Sequence, residues 1–335
     1  MIVGDIGGTK TQLAFVDPDE RYEERRMGEL PSLQHVRYFL NDHYDCFEGI
    51  VSAYLDETAL AVDDMMVLGV AGPVSDNYCQ LTNRGWRLDG RQFASRYGIG
   101  QVQLLNDLVA TFHGVTHLPE SDFEWLQNFA KDHKLTRSVI SVGTGLGEAS
   151  LVDGGESIDY LVLPGEGGHK NFAPSSPDEI ELLSYYMEKT NHVSEEYLIS
   201  GDGVQRVYQY LRQQQKSAVS DDGTIETLPS SHSITERALT EPGSIYEKTL
   251  LIFSEMLLSE AGNLALQSYS EGGVVIAGGI PPHIIEFLRR PICLSRFSQK
   301  GRFEDWLRQL PLSVCTNTAA PLYGAWVFGI KAAWS

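Results

Sequence analysis

Three glycine-rich turns follow predicted strands along this chain, and their composition suits phosphate binding. They are Gly7-Gly8-Thr9-Lys10, Gly143-Thr144-Gly145-Leu146-Gly147 and Ala277-Gly278-Gly279-Ile280. Glycine lets the backbone approach a ligand closely, and successive N–H groups in a turn form a concavity for anions. Each turn alone is also typical of an ordinary hairpin. Three such turns in one acidic chain indicate a nucleotide whose phosphates and base lie against the backbone.

The spacing of these glycines argues against two common nucleotide folds. None of the turns is the G-x-G-x-x-G fingerprint of dinucleotide-binding folds or the G-x-x-x-x-G-K-[ST] sequence of a P-loop. The formal net charge is −19, which would repel nucleic acid and anionic membrane. We therefore expect neither as a partner. An anionic nucleotide would have to be held by backbone N–H groups, helix N-termini and a metal ion.

Carboxylates stand at the ends of two predicted strands. Asp5 comes just before the first glycine turn, and Asn106-Asp107 follows the apolar run 102–105 at the start of a helix-like stretch. Such a carboxylate can act on a ligand bound at the strand ends. The alternative is that Asn106 and Asp107 cap the helix, because both residue types are favoured N-caps. The local sequence favours capping.

Glu166 and His169 lie three residues apart among glycines, in the sequence LPGEGGH that begins at Leu163. A carboxylate and an imidazole can bind neighbouring sugar hydroxyls, because each hydroxyl both donates and accepts a hydrogen bond. A metal site is disfavoured, since no third ligand lies nearby at a conventional spacing. A loop histidine with a capping glutamate remains the alternative, and the local sequence leaves both open.

The elements that must position these residues follow a repeated plan of strand, glycine turn and strand. The predicted strands are 2–6, 12–17, 66–71, 102–105, 138–142 and 148–152, and the predicted helices nearby are 33–40 and 90–97. The first two strands are spaced for a tight hairpin. Strands that alternate with helices indicate a partly parallel, covered sheet. The second cycle, from residue 138, is weak evidence that the two halves of the chain share one plan.

Apolar periodicity predicts three further helices. One begins after Ser176, with Ile180, Leu183 and Met187 on its core face. A long helix at 246–266 is expected behind the second sheet, and an apolar helix at 321–334 is expected to return to the first domain. The stretch 213–233, rich in Gln, Ser, Asp and Gly, is expected to be a solvated loop.

The four cysteines and the start of the chain bear on the compartment. Cys46, Cys79, Cys293 and Cys315 form no metal or disulfide pattern. The first residues, MIVGD, carry no basic leader, and no apolar run is long enough to span a membrane. We therefore expect an unprocessed, soluble protein of a reducing cytoplasm.

Taken together, five segments resemble, in the same order, the motifs of the bacterial glucokinase family of the hexokinase and actin superfamily: DIGGT from Asp5, LLNDL from Leu104, GTGLG from Gly143, LPGEGGH from Leu163 and AGGI from Ala277. Four further segments add to the match: LTNRGW from Leu81, HVSEE from His192, SITERAL from Ser233 and KGRF from Lys300. The resemblance covers essentially the whole chain and overturns the capping and loop alternatives at Asp107 and Glu166. The related ROK sugar kinases are disfavoured, because no cysteine-rich zinc motif follows His169.

The resemblance also implies a role for each residue. Asp107 would be the general base, and Asp5 would serve the Mg²⁺ shell. The implied sugar ligands are Asn106, Glu166, His169 and Glu196. The implied phosphate ligands are Gly7, Gly8, Thr9, Gly143, Thr144 and Gly145, and Gly278 and Gly279 would lie against the adenosine. Lys10 departs from the family, which often has Asn there, and either adds a phosphate contact or is solvated.

The resemblance finally implies an α/β fold of the actin and hexokinase type, related to ribonuclease H, with two lobes and the active site in the cleft between them. The expected domains are 1–117 plus 315–335, and 118–314. The implied reaction is glycolytic phosphorylation of D-glucose at its C6 hydroxyl by ATP with Mg²⁺, in a cytoplasmic homodimer. The alternatives are a kinase for another hexose or an amino sugar, and a catalytically silent sugar sensor. The presence of Asp107, with no helix-turn-helix before Met1, disfavours the sensor.

Overall fold

The structure is a computed structural model that describes residues 1–17, 30–60, 64–81, 84–129, 135–153, 160–218 and 228–333. The chain divides into two compact units, Met1–Asp122 with Asn317–Ser335, and Phe123–Thr316. We call these unit 1 and unit 2. In chain order the strands are β1 Ile2–Ile6, β2 Lys10–Phe15, β3 Gln34–Leu40, β4 Met65–Val70, β5 Val74–Ser75, β6 Tyr78–Gln80, β7 Arg87–Asp89, β8 Gln101–Asn106, β9 Phe123–Gln127, β10 Arg137–Val142, β11 Leu146–Asp153, β12 Tyr160–Gly165, β13 Val274–Ala277 and β14 Leu312–Cys315.

The helices cover the sheets within each unit. In chain order they are α1 Phe47–Thr58, α2 Gly90–Tyr97, α3 Asp107–His117, α4 Pro177–Met187, α5 Glu195–Leu198, α6 Gly201–Ala218, α7 Ser231–Thr240, α8 Ile245–Ser268, α9 Ile285–Leu288, α10 Pro291–Ser298, α11 Glu304–Leu307 and α12 Ala320–Ala333. The predicted C-terminal helix is confirmed as α12, which belongs to unit 1. Trp334, which the prediction included, lies outside the described residues.

Both units contain a sheet of the same plan. In unit 1 the strand order is β3-β2-β1-β4-β8, and in unit 2 it is β12-β11-β10-β13-β14, extended by β9. In each, an antiparallel hairpin (β1 with β2, β10 with β11) is followed by two parallel strands. The plan predicted from the second strand–turn–strand segment is therefore confirmed. A separate three-stranded sheet, β5-β6-β7, also lies in unit 1.

Apolar side chains fill both faces of the unit 1 sheet. One face packs against α1 and α2 through residues such as Ile50 and Phe93, and the other packs against α3 and α12. In unit 2, α8 lies at the centre of the core, and its predicted core residues Leu250, Phe253 and Leu257 are buried. By length and composition α8 could also cross a membrane, but 83% of its apolar window is buried inside the protein. That burial is what a core helix shows.

The predicted helix at 33–40 is wrong, because these residues form β3. Phe39 is buried in the core, and Tyr38 is exposed and hydrogen-bonded through its hydroxyl to Gln12 at 2.8 Å. The segment pairs antiparallel with β2, with Thr11 opposite Phe39. Aromatic and β-branched residues are enriched in strands. Pairing with the open edge of β2 decided the conformation.

The predicted core face of α4 is wrong at two of its three positions, since Leu183 packs against the core but Ile180 and Met187 do not. Ile180 and Met187 are exposed, whereas Glu179 is buried in the core with Leu182 and Tyr186. The Glu179 carboxylate accepts hydrogen bonds from the backbone and hydroxyl of the serine at position 175, at 2.6 and 3.0 Å. These bonds give one oxygen of a buried acid its partners, while Oε1 has no hydrogen-bond partner among the described residues. The helix is rotated toward the face that carries this acid.

The predicted loop at 213–233 is wrong at both ends. Residues 213–218 continue α6, and residues 231–233 begin α7, which Ser230 caps by accepting from Ser233 N at 3.2 Å. The middle of this stretch, 219–227, lies outside the described residues. The exposed glutamines at 213–215 are compatible with the exposed side of an amphipathic helix.

Candidate functional site

Asp5 lies on the face of the unit 1 sheet that carries α3 and α12. Side chains alternate along a strand, so Asp5 points to the same face as Val3, which packs in one apolar cluster with Leu322 of α12. In the register of the sheet Asp5 lies opposite Gly69 of β4. A side chain at Gly69 would place its Cβ 3.5 Å from the Cα of Asp107, the first residue of α3. Asp5 and Asp107 therefore share one face and one edge of the sheet.

The environment of Asp5 suits a divalent cation. Burial raises the pKa of Asp5 to about 6, and the charge of the exposed Lys10 lowers it in part. Mg²⁺ is usually held by one or two carboxylates together with substrate phosphates and water. Across the described residues no three His, Cys, Asp or Glu side chains group as a metal site. A Mg²⁺ ion held by Asp5 would therefore need further ligands from a nucleotide and water.

The first glycine turn is fixed by two residues that are distant in sequence. The buried Asn41 donates from Nδ2 to the Gly7 carbonyl at 2.9 Å and from its backbone N–H to the Thr9 carbonyl at 3.0 Å. Arg84 donates from Nε to the Gly8 carbonyl at 2.6 Å. All three carbonyls therefore point to protein donors. A turn whose N–H groups face a phosphate needs its carbonyls turned away in this manner.

Asn106 and Asp107 have separate tasks at the start of α3. Asn106 is the N-cap, and its Oδ1 accepts hydrogen bonds from Leu108 N at 3.0 Å and Val109 N at 3.3 Å. Its Nδ2 donates to Gly72 O at 3.1 Å. Asp107 is the first helical residue, and its Oδ1 accepts from Leu108 N at 2.9 Å. The capping interpretation therefore holds for Asn106, and Asp107 is not the cap.

The second and third glycine turns are neighbours in unit 2. Gly278 has a φ of 101°, and a side chain there would collide with the backbone of Val142, just before Gly143. Ile280 N donates to Val142 O at 3.3 Å, and Gly143 N donates to Gly145 O at 2.9 Å. Both turns thus meet at the carboxyl ends of the parallel strands β10 and β13. That edge is where open α/β sheets bind ligands.

Glu166 and His169 are exposed on a tight turn that follows β12. In this turn, which we call the sugar turn (166–169), His169 N donates to Glu166 O at 3.0 Å. The ring of His192 donates from Nε2 to the His169 carbonyl, also at 3.0 Å. The main chain of the turn is thereby held in place. Both side chains remain available to hydroxyl groups.

Glu196 lies between the sugar turn and the second glycine turn. Its Oε2 accepts a hydrogen bond at 2.9 Å from Leu146 N, the residue that follows Gly145. The chain just before it runs beside the chain that follows the sugar turn, because Glu195 N donates to Lys170 O at 2.9 Å. Three predicted sugar ligands and one predicted phosphate turn therefore lie in a single region of unit 2.

Three buried glutamates and a lysine whose side chain is 35% exposed lie beneath the sugar turn. We call Glu148, Lys170, Glu195 and Glu260 the buried charge cluster. Lys170, the residue after the turn, donates to Glu148 Oε2 at 3.0 Å and to Glu260 Oε1. Glu195 accepts from Ala173 N at 3.1 Å. The three glutamates are 2–3% exposed. They come from β11, α5 and α8, so the cluster joins three elements to the turn.

Burial makes the carboxyl groups of this cluster hold protons unusually well. Burial raises the pKa of Glu148 to about 7 and that of Glu195 to about 8, and the charge of Glu260 adds to both. Burial lowers the pKa of Lys170, but the hydrogen bonds and charges of Glu260 and Glu148 raise it by more, so the pKa is raised overall. Within the described residues, Oε1 of Glu148 has no hydrogen-bond partner. The neutral form of this carboxyl is therefore favoured.

These raised pKa values predict how stability depends on pH. A glutamate that titrates near 4.5 in the unfolded chain and about 7 in the folded one leaves the folded protein holding more protons between those values. The free energy of unfolding should then fall as the pH rises from about 5 to about 8. Glu148→Gln should flatten this dependence, measured by chemical denaturation at several pH values.

Glu247 supplies a control of opposite sign. Its hydrogen bonds with Gly243 N and Arg290 lower its pKa, so its contribution to stability is lost as the pH falls. Glu247→Gln should leave the slope between pH about 5 and about 8 unchanged. An unaltered slope in the Glu148→Gln variant would contradict the assignment of this dependence to Glu148.

The structure groups the predicted site residues into two sets. One set lies at the carboxyl edge of the unit 1 sheet: Asp5, Gly7, Gly8, Thr9, Asn106 and Asp107. The other lies in unit 2: Gly143, Thr144, Gly145, Glu166, His169, Glu196, Gly278 and Gly279. Sequence reasoning missed the roles of Asn41, Arg84 and Lys170. Arg84 stands in a matched motif, but no local pattern marks the other two.

Comparison with known proteins decides the family. The family model described as glucokinase matches residues 2–331. The chain belongs to the glucokinase family. Curated glucokinases of Tolumonas auensis and Nostoc punctiforme are 32% identical over 325 residues and 33% identical over 340 residues. The matches cover 97% of this chain and 95% and 97% of the two relatives.

A solved structure shows the same relationship in three dimensions. The crystal structure of glucokinase from an Antarctic psychrotroph matches with a TM-score of 0.78 at 27% identity, covering 98% of this chain and 97% of that one. The predicted family, the α/β fold class of the actin-like sugar kinases and the predicted glucose kinase activity are thus confirmed. The roles of the individual residues and the domain limits stay predictions.

Proposed function

We propose that this protein transfers the γ-phosphoryl group of ATP to the C6 hydroxyl of D-glucose, with Asp107 as general base. The observation that supports this most directly is that Asn106 caps α3, while Asp107 stands beside it as the first helical residue. Helix capping would otherwise explain a carboxylate at this position, but Asn106 is the residue that caps α3. Asp107 also shares its sheet face and edge with Asp5, the proposed Mg²⁺ ligand.

In the proposed reaction Asp107 accepts the proton of the C6 hydroxyl as that oxygen attacks the γ-phosphorus. The bond from the γ-phosphorus to the bridging oxygen breaks, and ADP leaves with the electron pair. A positioned base of this kind contributes roughly 10²–10⁴-fold to a rate. Much of the remaining acceleration in phosphoryl transfer comes from positioning the hydroxyl and compensating phosphate charge.

Glu166, His169 and Glu196 are the proposed ligands of the other glucose hydroxyls. Glu166 and His169 are exposed on a fixed main chain, and Glu196 is held by Leu146 N through one carboxylate oxygen. Asn106 has fewer hydrogen-bonding groups available for glucose, because both lone pairs of its Oδ1 and one N–H of its Nδ2 already bond the protein. Its proposed contact with glucose is therefore through the second N–H of Nδ2.

The glycine turns are proposed to hold the nucleotide. The N–H groups of Gly7 and Gly143 already donate within their own turns, to Lys10 O and Gly145 O. The other backbone N–H groups of the turns at Gly7 to Thr9 and at Gly143 to Gly145 would face phosphates, and Gly278 and Gly279 would lie against the adenosine. Mg²⁺, when bound with Asp5 and phosphate oxygens, would offset the negative charge of the transferred group. Lys10, exposed beside Asp5 in the same hairpin, would add positive charge.

A panel of sugars with ATP and Mg²⁺, followed by ADP release, tests the substrate. We expect glucose to give the highest kcat/KM and product formation to require a divalent cation, because both follow from the proposed site. Mannose, fructose and acylated amino sugars are the informative competitors. A higher kcat/KM for an acylated amino sugar would show that the site belongs to a different sugar kinase.

The cellular setting is part of the proposal. All four cysteines are free, which is compatible with a reducing cytoplasm. We further propose a homodimer, as the family resemblance implies, and no nucleic-acid or membrane partner, as the net charge of −19 implies.

A further inference from the structure

We propose that Lys170, acting through Glu148 and Glu260, is a positioning residue. It holds the sugar turn where Glu166 and His169 can reach the sugar hydroxyls. The inference rests on the proposed function, because it assumes that Glu166 and His169 bind the sugar. Lys170 has no proposed contact with a substrate. Its ammonium group lies between carboxylates of β11 and α8 and ties the end of the sugar turn to both.

Each proposed sugar ligand of unit 2 is attached to this cluster. Lys170 directly follows the turn, and its backbone N–H donates to the Gly167 carbonyl at 3.0 Å. Gly167 packs so closely on the Glu148 carboxylate that a side chain there would overlap it. Glu195 precedes the third ligand, Glu196, and pairs through its backbone with Lys170. A shift in the cluster would therefore move all three ligands.

The buried charge cluster is expected to fix the position of the sugar turn more than it stabilises the fold. Two nearly inaccessible carboxylates sharing one ammonium lose their solvation, and such groups often add little net stability. Removing the ammonium is costly, however, because it leaves like charges buried together. The groups facing Lys170 from the packed elements are Glu148, Glu195 and Glu260, with Lys300 as the other nearby cation. The buried charge cluster therefore allows the sugar turn only a narrow range of positions.

Arg296 offers a matched control for a purely structural ion pair. Its side chain is 15% exposed, against 35% for Lys170, and it bonds Glu255 of α8 at 2.8 and 2.6 Å. It contacts the main chain at Ser175 rather than the sugar turn. Arg296→Met should lower the melting temperature as Lys170→Met does, since both leave buried carboxylates without a cation. Only the lysine variant should change glucose kinetics.

The experiment compares steady-state kinetics and melting temperatures of the two variants in the full chain. We expect Lys170→Met to raise the glucose KM by about 10-fold or more, since misplacing substrate ligands by about 1 Å can cost 10²-fold. The KM for ATP should change by less than about 2-fold, because the turn holds sugar only. Arg296→Met should leave both KM values near those of the parent.

Two further measurements keep the test decisive. If Lys170→Met does not fold, Glu260→Gln should raise the glucose KM in its place. If it does fold, the double variant Lys170→Met with Glu260→Gln should raise the KM by less than the two single effects combined. In Lys170→Met, lowering the pH should restore part of kcat/KM for glucose, because a protonated carboxyl no longer repels its neighbour. A merely structural lysine predicts no such recovery.

The outcomes separate this inference from the proposed function. An unchanged glucose KM in folded Lys170→Met, alongside weakened glucose use in Glu166→Ala and His169→Ala, would overturn the positioning role alone. Unchanged glucose kinetics in all three variants would overturn the assignment of the sugar turn, and the positioning role with it.

Discussion

Replacing Asp107 by asparagine is expected to lower kcat by roughly 10²–10⁴-fold, or about 2.7–5.5 kcal/mol of barrier. The amide keeps the shape of the side chain and can still accept from Leu108 N, but it cannot take the C6 hydroxyl proton. The fold and the affinity for glucose should be retained. The measurements are kcat, the melting temperature and the glucose affinity by calorimetry.

Asp89 provides the matched control. It caps α2 by accepting hydrogen bonds from Arg91 N at 3.0 Å and Gln92 N at 3.1 Å, so Asp89→Asn is the same change at a helix start without the chemistry. Asparagine caps as well as aspartate, and this variant should keep its kcat. Turnover of Asp107→Asn within about threefold of the parent would remove Asp107 from the mechanism.

Glu166→Ala and His169→Ala are each expected to lower kcat/KM for glucose by roughly 5–150-fold. The reason is that an unpaired polar group in the bound complex costs about 1–3 kcal/mol, and more where charge is involved. Nucleotide affinity should stay nearly unchanged, because the proposed phosphate and adenosine contacts lie on the glycine turns. The measurement is steady-state kinetics with each substrate varied in turn.

Glu304 serves as the control for a glutamate lost from the surface. It lies on α11 and bonds Arg308 one turn further along the helix, at 2.5 Å. Glu304→Ala should leave the kinetics for both substrates at parental values, because surface ion pairs contribute little. If Glu166→Ala and His169→Ala weakened ATP binding as much as glucose use, the sugar turn would not be specific to the sugar.

Sequence reasoning located the elements whose pattern is local. The hairpin of β1 and β2, the parallel strands β4 and β8 and the long helix α8 follow from apolar runs, glycine turns and helical spacing. The same reasoning failed at β3 because a short apolar run does not distinguish a strand from a helix. It failed on α4 because Glu179 is buried, with one carboxylate oxygen bonded to Ser175 and the other 3.9 Å from Arg296.

The candidate site was predictable where its residues form a local sequence pattern, and not where they meet through long-range contacts. Residue types and glycine spacing identified Asp5, Asp107 and the sugar turn, but only the structure assigns the cap to Asn106. Lys170 bonds carboxylates 22 and 90 residues away in sequence. No local pattern can indicate such a contact, because it depends on how β11 and α8 pack in three dimensions.

Identification of the reaction product tests the central claim most directly. The purified protein is incubated with ATP, Mg²⁺ and D-glucose, and the product is examined by phosphorus and carbon NMR. The account predicts one sugar phosphate, with phosphorus coupled to C6 of glucose, formed in equal amount to ADP. Phosphate on another carbon, or ADP released with free phosphate and no sugar phosphate, would contradict it.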